Sequence, residues 1–336
     1  MQTSSCFSAD VLKIDAAAEI GLIHEAIRDI VFQQLGRKGA VVGLSGGIDS
    51  SVTAALCTGA LGRERVFGLM MPERDSSGDS LELGRLIAEH CGIDNATEDL
   101  TPTLTALGCY ERRDEAIRRV IPEYTSAWKS KIVLPSVLNG DSYSIFSVVA
   151  ISPEGKQVRA RMTAEAYLGV VAATNFKQRV RKMLEYYHCD RLQYAVAGTP
   201  NRLEYDQGFF VKLGDGAADF KPIAHLYKSQ VYQIAEYLQI PHKIRRRPPT
   251  TDTYSLEQSQ EEFYFSLPLA QMDLCLYGKN HNVPAEEVAS ALGLETEQVS
   301  RVYRQIDAKR KMARYLHCRP LLVHDVVETD DSTLSR

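Results

Sequence analysis

Three features that would indicate a membrane, an oxidising compartment or a nucleic-acid partner are missing from this sequence. No apolar run is long enough to span a bilayer, and the first ten residues lack a basic stretch followed by an apolar core. The seven cysteines are scattered without Cys-x-x-Cys spacing, which predicts free thiols in a reducing cytosol. The formal net charge of -4 gives no electrostatic basis for binding nucleic acid. We therefore expect a cytoplasmic protein with neither a membrane nor a nucleic-acid partner.

The composition is that of a globular protein with a large core. The chain has 336 residues, of which 44% are hydrophobic, so either one large domain or two modest ones would fit. Basic residues cluster locally at 179–182, 245–247 and 309–314. Such clusters are usually solvated, but they can also hold a phosphate-rich small molecule.

The most informative stretch is Val-Val-Gly-Leu-Ser-Gly-Gly-Ile-Asp-Ser-Ser-Val at residues 41–52, which reads as a strand, a glycine turn and the start of a helix. Gly46 and Gly47 let the backbone approach a ligand closely and direct several N–H groups at one anion. Ser45, Ser50 and Ser51 add hydroxyl groups, and the free amides of the helix start attract negative charge. The stretch predicts a loop that binds nucleotide phosphates.

This phosphate loop lacks the Gly-Lys-Ser/Thr ending of one common class and the third glycine of the dinucleotide-binding class. Asp49 stands where a lysine might be expected. A carboxylate repels phosphates unless a cation lies between them, so Asp49 predicts a bound Mg²⁺. The alternative is that Asp49 is an ordinary helix N-cap in an ordinary turn.

The hydrophobic periodicity beyond the loop predicts an α/β fold with a doubly wound parallel sheet. Apolar runs predict strands at 39–44, 65–71 and 193–198, and helical spacing predicts helices at 16–35, 80–91, 164–188 and 228–238. Ligands of such sheets bind beyond the carboxyl ends of the strands, which is where the phosphate loop lies.

Other segments do not belong to a doubly wound core. Runs at 143–151 and 156–162 flank Ser-Pro-Glu-Gly and predict a β-hairpin, so we expect an insertion at about 128–162, either decorative or used in partner or dimer contact. Residues 250–262 are polar and aperiodic, which is typical of a mobile lid. The rest is predicted to be helical at 267–277, 285–292 and 296–315. We expect a single domain over 1–324 and a polar tail at 325–336.

Four ordered motifs carry a resemblance to a known family: the loop at 45–51, Asn-Phe-Lys-Gln-Arg-Val-Arg-Lys-Met at 175–183, Gly-Thr with a later glutamate at 198–204, and Gly-Phe-Phe-x-Lys-x-Gly-Asp-Gly-x-x-Asp at 208–219. The loop resembles that of the N-type ATP pyrophosphatases, which adenylate a substrate by splitting ATP between its α and β phosphates. From about residue 16 to 319, the chain resembles the ammonia-dependent NAD synthetases of that superfamily. The last two motifs are rather specific to this family. The resemblance implies an adenine nucleotide alpha-hydrolase-like fold, ATP and Mg²⁺, deamido-NAD and ammonia as substrates, and a homodimer.

The resemblance also implies roles for individual positions. The family's ATP contacts correspond to Gly43, Leu44, Ser45, Gly46, Gly47, Ile48, Asp49, Ser50, Thr199, Lys228 and Thr250. Its Mg²⁺ ligands correspond to Asp49 and Glu204, and its deamido-NAD contacts to Arg179, Lys212, Asp219 and Lys309. Asp49 would then support catalysis by holding the Mg²⁺, and Mg²⁺, Lys228 and the loop amides would neutralise the growing charge on the leaving pyrophosphate.

The sequence departs from the family on the substrate side. The usual His-Lys near the C-terminus corresponds to Ala308-Lys309, the acidic loop after Pro249 has an aromatic end, and the insertion precedes Arg179. An amide ligase acting on another carboxylate, fed by a separate amidotransferase, is therefore the alternative function. No Cys–His pair with a nucleophile's setting is present and residues ahead of Gly39 suffice for one helix, so we expect ammonia rather than glutamine as nitrogen donor.

Overall fold

Strands and helices alternate along most of the chain in the computed structural model, which describes residues 7–133, 146–249, 254–256 and 267–324. Within these residues the strands are β1 (Ala40–Gly43), β2 (Val66–Met70), β3 (Asp94–Thr97), β4 (Lys129–Val133), β5 (Ser147–Ile151), β6 (Gln157–Arg161) and β7 (Ala195–Ala197). The helices are α1 (Ala16–Arg28), α2 (Ile48–Leu61), α3 (Gly78–Cys91), α4 (Thr101–Ala106), α5 (Cys109–Arg118), α6 (Ala164–Leu192), α7 (Arg202–Gln207), α8 (Lys228–Tyr237), α9 (His242–Arg245), α10 (Leu269–Asn280), α11 (Ala285–Leu292) and α12 (Thr296–His317).

Four of the strands form the predicted parallel sheet, in the order β3-β2-β1-β7. The register pairs Ala40 with both Val66 and Ala195, so β1, β2 and β7 end at nearly the same level. The loops that follow these three strands therefore meet at one edge of the sheet, as Gly43, Met70 and Ala197 each end a strand there. This edge is where a doubly wound sheet binds its ligands.

Alternate residues of β1 enter different cores, which confirms that helices cover both faces of the sheet. Ala40 and Val42 lie in a cluster formed with α1, α2, α3 and α8, whereas Val41 lies in a cluster formed with α4, α5 and α6. Side chains of a strand point alternately to its two faces, so a central strand covered on both sides must be apolar throughout. This explains why β1 was recognisable from its sequence.

The described part of the segment predicted to be an insertion contains a separate antiparallel sheet in the order β4-β5-β6, which we call the second sheet. The expected hairpin is present as β5 and β6, and β4 adds a third strand with Lys129 opposite Ile151. Its inner face packs on α5 and the start of α6 through Ile132, Val148 and Val170. The sheet is thus attached to one side of the α/β core.

The C-terminal helices α10, α11 and α12 form a further apolar cluster with the segment preceding α1. No helix within the described residues combines the length and apolarity that a membrane crossing requires. The six cysteines among those residues are all unpaired, as expected. The predicted tail at 325–336 and most of the predicted lid at 250–262 lie outside the described residues.

Candidate active site

The phosphate loop connects β1 to α2 at the ligand-binding edge of the sheet. Gly46 has φ +73°, and a Cβ there would lie 2.6 Å from Cβ of Leu83, so only glycine fits. Gly47 has φ −84° and is the N-cap of α2, so the alternative that Asp49 is the N-cap is wrong. The hydroxyls of Ser50 and Ser51 both donate to the Gly47 carbonyl, at 3.1 and 2.8 Å. Helix α2 therefore begins at Ile48, and Asp49 lies in its first turn with its side chain available for other contacts.

Asp49 is connected to the loop after β7 by a residue that the sequence motifs did not single out. The side-chain amide of Asn201 donates to Oδ1 of Asp49 at 3.0 Å. The oxygen of the same amide accepts from the N–H groups of Leu203 and Glu204, and Oε2 of Glu204 accepts from the Asn201 N–H at 3.1 Å. This is a complete capping box for α7, so Glu204 lies in the first turn of a helix and not in an open loop. Buried Asn201 thus links both predicted metal ligands.

Lys228 forms the centre of this group. Its ammonium contacts Oδ2 of Asp49, although its side chain is only 2% exposed. Burial alone would lower the pKa of Lys228, but the charges of Asp49 and Glu204 outweigh that effect and raise it. The lysine is therefore held fully charged between two carboxylates.

Helix α10 fixes the position of Lys228. The backbone N–H groups of Lys228 and Ser229 donate to the carboxylate of Asp273, at 3.2 and 2.7 Å. Asp273 is completely buried, and burial raises its pKa to about 6. A carboxylate at the start of α8 satisfies amides that no helix carbonyl can reach.

Two cavities meet at the phosphate loop and share Ser45, Ser50 and Thr199 in their walls. The larger cavity has a volume of about 710 Å³ and contains the side chains of Asp49, Glu204 and Lys228 in its lining. The smaller, of about 220 Å³, lies over the ends of β1, β2 and β7. Its lining includes Gly43, Leu44, Met70, Met71, Ala197, Arg181, Lys182 and Glu185.

Of the remaining predicted site residues, some line the larger cavity and others line neither cavity. Arg179 and Lys212 both line the larger cavity, and the Arg179 Nε donates to the Lys212 carbonyl at 3.3 Å. Asp219 lines neither cavity, because its carboxylate accepts from the Val196 N–H at 2.7 Å and from the Tyr186 hydroxyl at 3.2 Å. Lys309 also lies outside both linings, and burial lowers its pKa to about 7. Gly46 faces α3, and Thr250 lies outside the described residues.

One residue of the basic clusters contacts the phosphate loop directly. A terminal nitrogen of Arg247 donates to the hydroxyls of Ser77 and Ser80, at 2.6 and 3.0 Å, and the other approaches the Ser45 carbonyl at 3.4 Å. Arg247 lines the larger cavity. The sequence signal was the run of arginines at 245–247, but nothing in it distinguished this arginine from its neighbours.

A buried ion network holds the segment that follows β2. The ammonium of Lys177 donates to Glu73 at 2.9 Å and to Asp75 at 2.8 Å, and Arg113 donates to Asp75 at 2.6 Å. The hydroxyl of Tyr110 adds a 2.8 Å bond to Glu73. The network joins the wall of the smaller cavity at residues 71–76 to α5 and α6.

The geometry can be compared with known proteins. The family model described as NAD synthase matches residues 19–123 and 140–314. The chain belongs to the NAD synthase family. A protein named NH(3)-dependent NAD(+) synthetase from Rhizobium meliloti (strain 1021) is 60% identical over 329 residues, which cover 98% of each chain. One of the same name from Thermotoga maritima is 33% identical over 298 residues, covering 88% of this chain and 95% of the relative.

Two solved structures share the fold. The NH3-dependent NAD synthetase of Campylobacter jejuni superposes with a TM-score of 0.60 at 20% identity, covering 93% of this chain and all of the other. An NMN synthetase from Francisella tularensis gives a TM-score of 0.61 at 19% identity, covering 92% and 99%. The predicted α/β class and the predicted membership of a ligase family are therefore confirmed, and ATP as co-substrate follows from the family.

Proposed function

We propose that this chain adenylates the carboxylate of deamido-NAD with ATP and amidates it with ammonia, giving NAD, AMP and pyrophosphate. The observation that carries the proposal is the buried Lys228 ammonium held by Asp49 beside a phosphate loop, in a chain 60% identical to a protein named for this activity. A charged lysine at the start of α8, in contact with Asp49 of the phosphate loop, is suited to stabilising negative charge on a leaving pyrophosphate.

The two cavities suggest how the substrates divide the site. We place the adenosine of ATP in the smaller cavity, whose floor is formed by the strand ends around Gly43, Met70 and Ala197. Its phosphates would then reach the loop at Ser45 and Ser50, which both cavities share. The larger cavity, with Arg179 and Lys212 in its wall, is left for the acyl substrate and its phosphates. The α phosphate and the carboxylate would meet at the shared wall.

The carboxylates of Asp49 and Glu204 fit a magnesium ion that ATP brings with it. No group of three or more histidine, cysteine or acidic side chains able to hold a metal occurs within the described residues. Two carboxylates leave several positions of an octahedral ion for phosphate oxygens and water, which is how Mg²⁺ is commonly held in nucleotide sites. When bound, the ion would neutralise charge on the phosphates. The Lys228 ammonium interacts with both carboxylates and offsets one of their two negative charges.

The chain's own groups would act by position and charge. The first turn of α2 presents backbone N–H groups to the phosphates, and Lys228 stabilises charge on the departing pyrophosphate. No covalent nucleophile is needed from the protein, because the substrate carboxylate attacks the α phosphate and ammonia then displaces AMP. Asn201 holds Asp49 in place for this reaction through its side-chain amide.

The experiment is ATP–pyrophosphate exchange measured with deamido-NAD and with a panel of other carboxylates. We expect exchange with deamido-NAD to exceed that with nicotinate, aspartate or glutamate by several orders of magnitude. Exchange that is faster with another carboxylate would overturn the proposed substrate while retaining the adenylation chemistry. No exchange with any carboxylate would overturn both.

A further inference from the structure

A buried ion pair lies in the wall of the smaller cavity and takes no part in the reaction proposed above. Lys182 and Glu185 belong to α6 and are only 6% and 7% exposed. The Lys182 ammonium donates to Oε2 of Glu185 at 2.6 Å. Both side chains line the smaller cavity, and neither lines the larger one. A buried ion pair is often no more stabilising than apolar side chains of the same volume, so stability alone does not explain this pair.

The second carboxylate oxygen of Glu185 is available to a ligand. Lys182 donates to Oε2, whereas Oε1 accepts no hydrogen bond from any residue that the structure describes. A Cβ at Gly43 would lie 3.1 Å from this Oε1, so the carboxylate lies directly over the end of β1. A carboxylate oxygen without a donor in a cavity wall is suited to accept from a hydroxyl or an amino group of a bound molecule.

The position along α6 places this carboxylate near the sugar of a bound nucleotide. Gln178 lines both cavities and so marks the phosphate end of the helix. Lys182 and Glu185 follow it on the same face by one and two turns, which is about 6 and 10 Å along the helix axis. In a nucleotide the ribose comes directly after the α phosphate. The pair therefore lies at the depth of the ribose and beyond.

The other side of the smaller cavity is apolar. Met70 of β2 and Leu81 of α3 line it there. Helix α3 covers the face of the sheet opposite to α6, and Met70 packs in the cluster on the α3 side. An adenine base fits this apolar side, because its flat faces lose contact with water when they are buried. The polar side at α6 is then left for the ribose hydroxyls.

We propose that Glu185, held in place by Lys182, accepts a hydrogen bond from a ribose hydroxyl of ATP, so that the smaller cavity selects ribonucleotides over deoxyribonucleotides. The proposal rests on the placement of adenosine in the smaller cavity under the proposed function. Acidic side chains accept from ribose hydroxyls in dinucleotide-binding folds as well. A deoxyribonucleotide would cover the same carboxylate without supplying a donor, and a site built for a hydroxyl rejects a ligand that lacks it.

The test measures binding of ATP, 2′-deoxy-ATP and 3′-deoxy-ATP to the full chain by calorimetry, with Mg²⁺ and without the acyl substrate. We expect the wild type to bind ATP about tenfold to a hundredfold more tightly than at least one of the deoxynucleotides. The double variant Lys182→Met with Glu185→Leu removes both charges, so neither is left buried without its partner. It should bind all three nucleotides with dissociation constants within about threefold of one another. Glu185→Gln keeps the side-chain volume with a weaker acceptor and should reduce the preference in part.

The matched control is Leu81→Met, on the apolar side of the same cavity. It can alter the binding of all three nucleotides but should leave their ratios unchanged, and thermal melting reports whether each variant is folded. Equal binding of the three nucleotides by the wild type, or a preference that survives in the folded double variant, would overturn the role of Glu185. If the wild type showed the preference but gave no exchange with deamido-NAD, the proposed acyl substrate would fail while this assignment stood.

Discussion

Asp49 serves two partners, so replacing it tests both the chemistry and the fold. Its carboxylate balances the buried Lys228 and would also hold the metal in the proposed reaction. Asp49→Asn and Glu204→Gln should each lower turnover more than a hundredfold, because several kcal/mol of transition-state stabilisation depend on these charges. Turnover close to wild type at ordinary Mg²⁺ in either variant would contradict the metal assignment.

The two variants should differ in stability. Asp49→Asn leaves Lys228 buried without its closest carboxylate, which costs roughly 3 kcal/mol. Glu204→Gln keeps that contact and should cost less. The double variant Asp49→Asn with Lys228→Met removes the charge as well and should recover stability in urea unfolding, but not activity. A double variant that stays as unstable as Asp49→Asn would show that the ion pair does not determine stability here.

Asn201 both caps α7 and holds Asp49 in position, and two substitutions can separate these roles. Asn201→Ala removes the cap of α7 and the bond to Asp49, so it should cost about 1 kcal/mol of stability as well as activity. Asn201→Ser can still cap the helix but cannot reach Asp49, and we expect near-normal stability with kcat reduced about tenfold. Equal activity of the serine variant and the wild type, measured at saturating ATP, would remove the positioning role.

At the scale of elements, the contact between α10 and α8 predicts a pH dependence of stability. The pKa of Asp273 is raised from its usual value of 3.8 to about 6, so its carboxyl group binds a proton more tightly in the folded state than in the unfolded state. Its contribution to stability is complete below pH 4 and is lost as the pH rises through 6. The difference in unfolding free energy between wild type and Asp273→Asn should therefore fall by roughly 2–3 kcal/mol over that range. A pH-independent difference would contradict this.

Elements with a strong hydrophobic pattern could be predicted from the sequence, and others could not. Strands β1, β2 and β7 are apolar because they are covered on both faces, and α11 was predicted with its observed ends. Strand β3 is Asp-Asn-Ala-Thr, a mostly exposed edge strand held by backbone pairing to β2, so its sequence carries no apolar signal. Helices α7 and α9 are too short for periodicity to show. The Asn-x-x-Glu capping box was a usable signal for α7.

The candidate site could likewise be predicted from the sequence only in part. The phosphate loop is local, so its glycines and serines predicted its form. The contacts of Lys228 with Asp49 join residues 179 positions apart, and the partner of a distant charge is fixed only by tertiary packing. Neither Asp273 nor Arg247 carries a motif of its own. Both become recognisable only when separate elements are brought together.

At the scale of the whole molecule, the nitrogen donor can be tested on the purified chain. We expect amide formation with ammonium salts and none with glutamine alone, since no cysteine of the described residues lines either cavity. The attacking species is neutral NH₃, so the rate at fixed total ammonium should rise with pH until groups of the protein titrate. Glutamine-supported turnover by the isolated chain would contradict this expectation. Turnover with glutamine only after a second protein is added would indicate a partner amidotransferase.

The ion network around Lys177 should slow the opening of the loop that follows β2 at the ligand-binding edge of the sheet. Loops usually exchange their amide hydrogens early, because they open by small local fluctuations. Here Glu73 and Asp75 form ion pairs with Arg113 of α5 and Lys177 of α6, and these charges are nearly inaccessible to water. Opening the loop would break these pairs and leave buried charges without partners, which is costly. The amides of residues 73–75 should therefore exchange almost as slowly as those of β2. Lys177→Met, measured by hydrogen exchange, should accelerate this segment selectively and leave β7 unaffected.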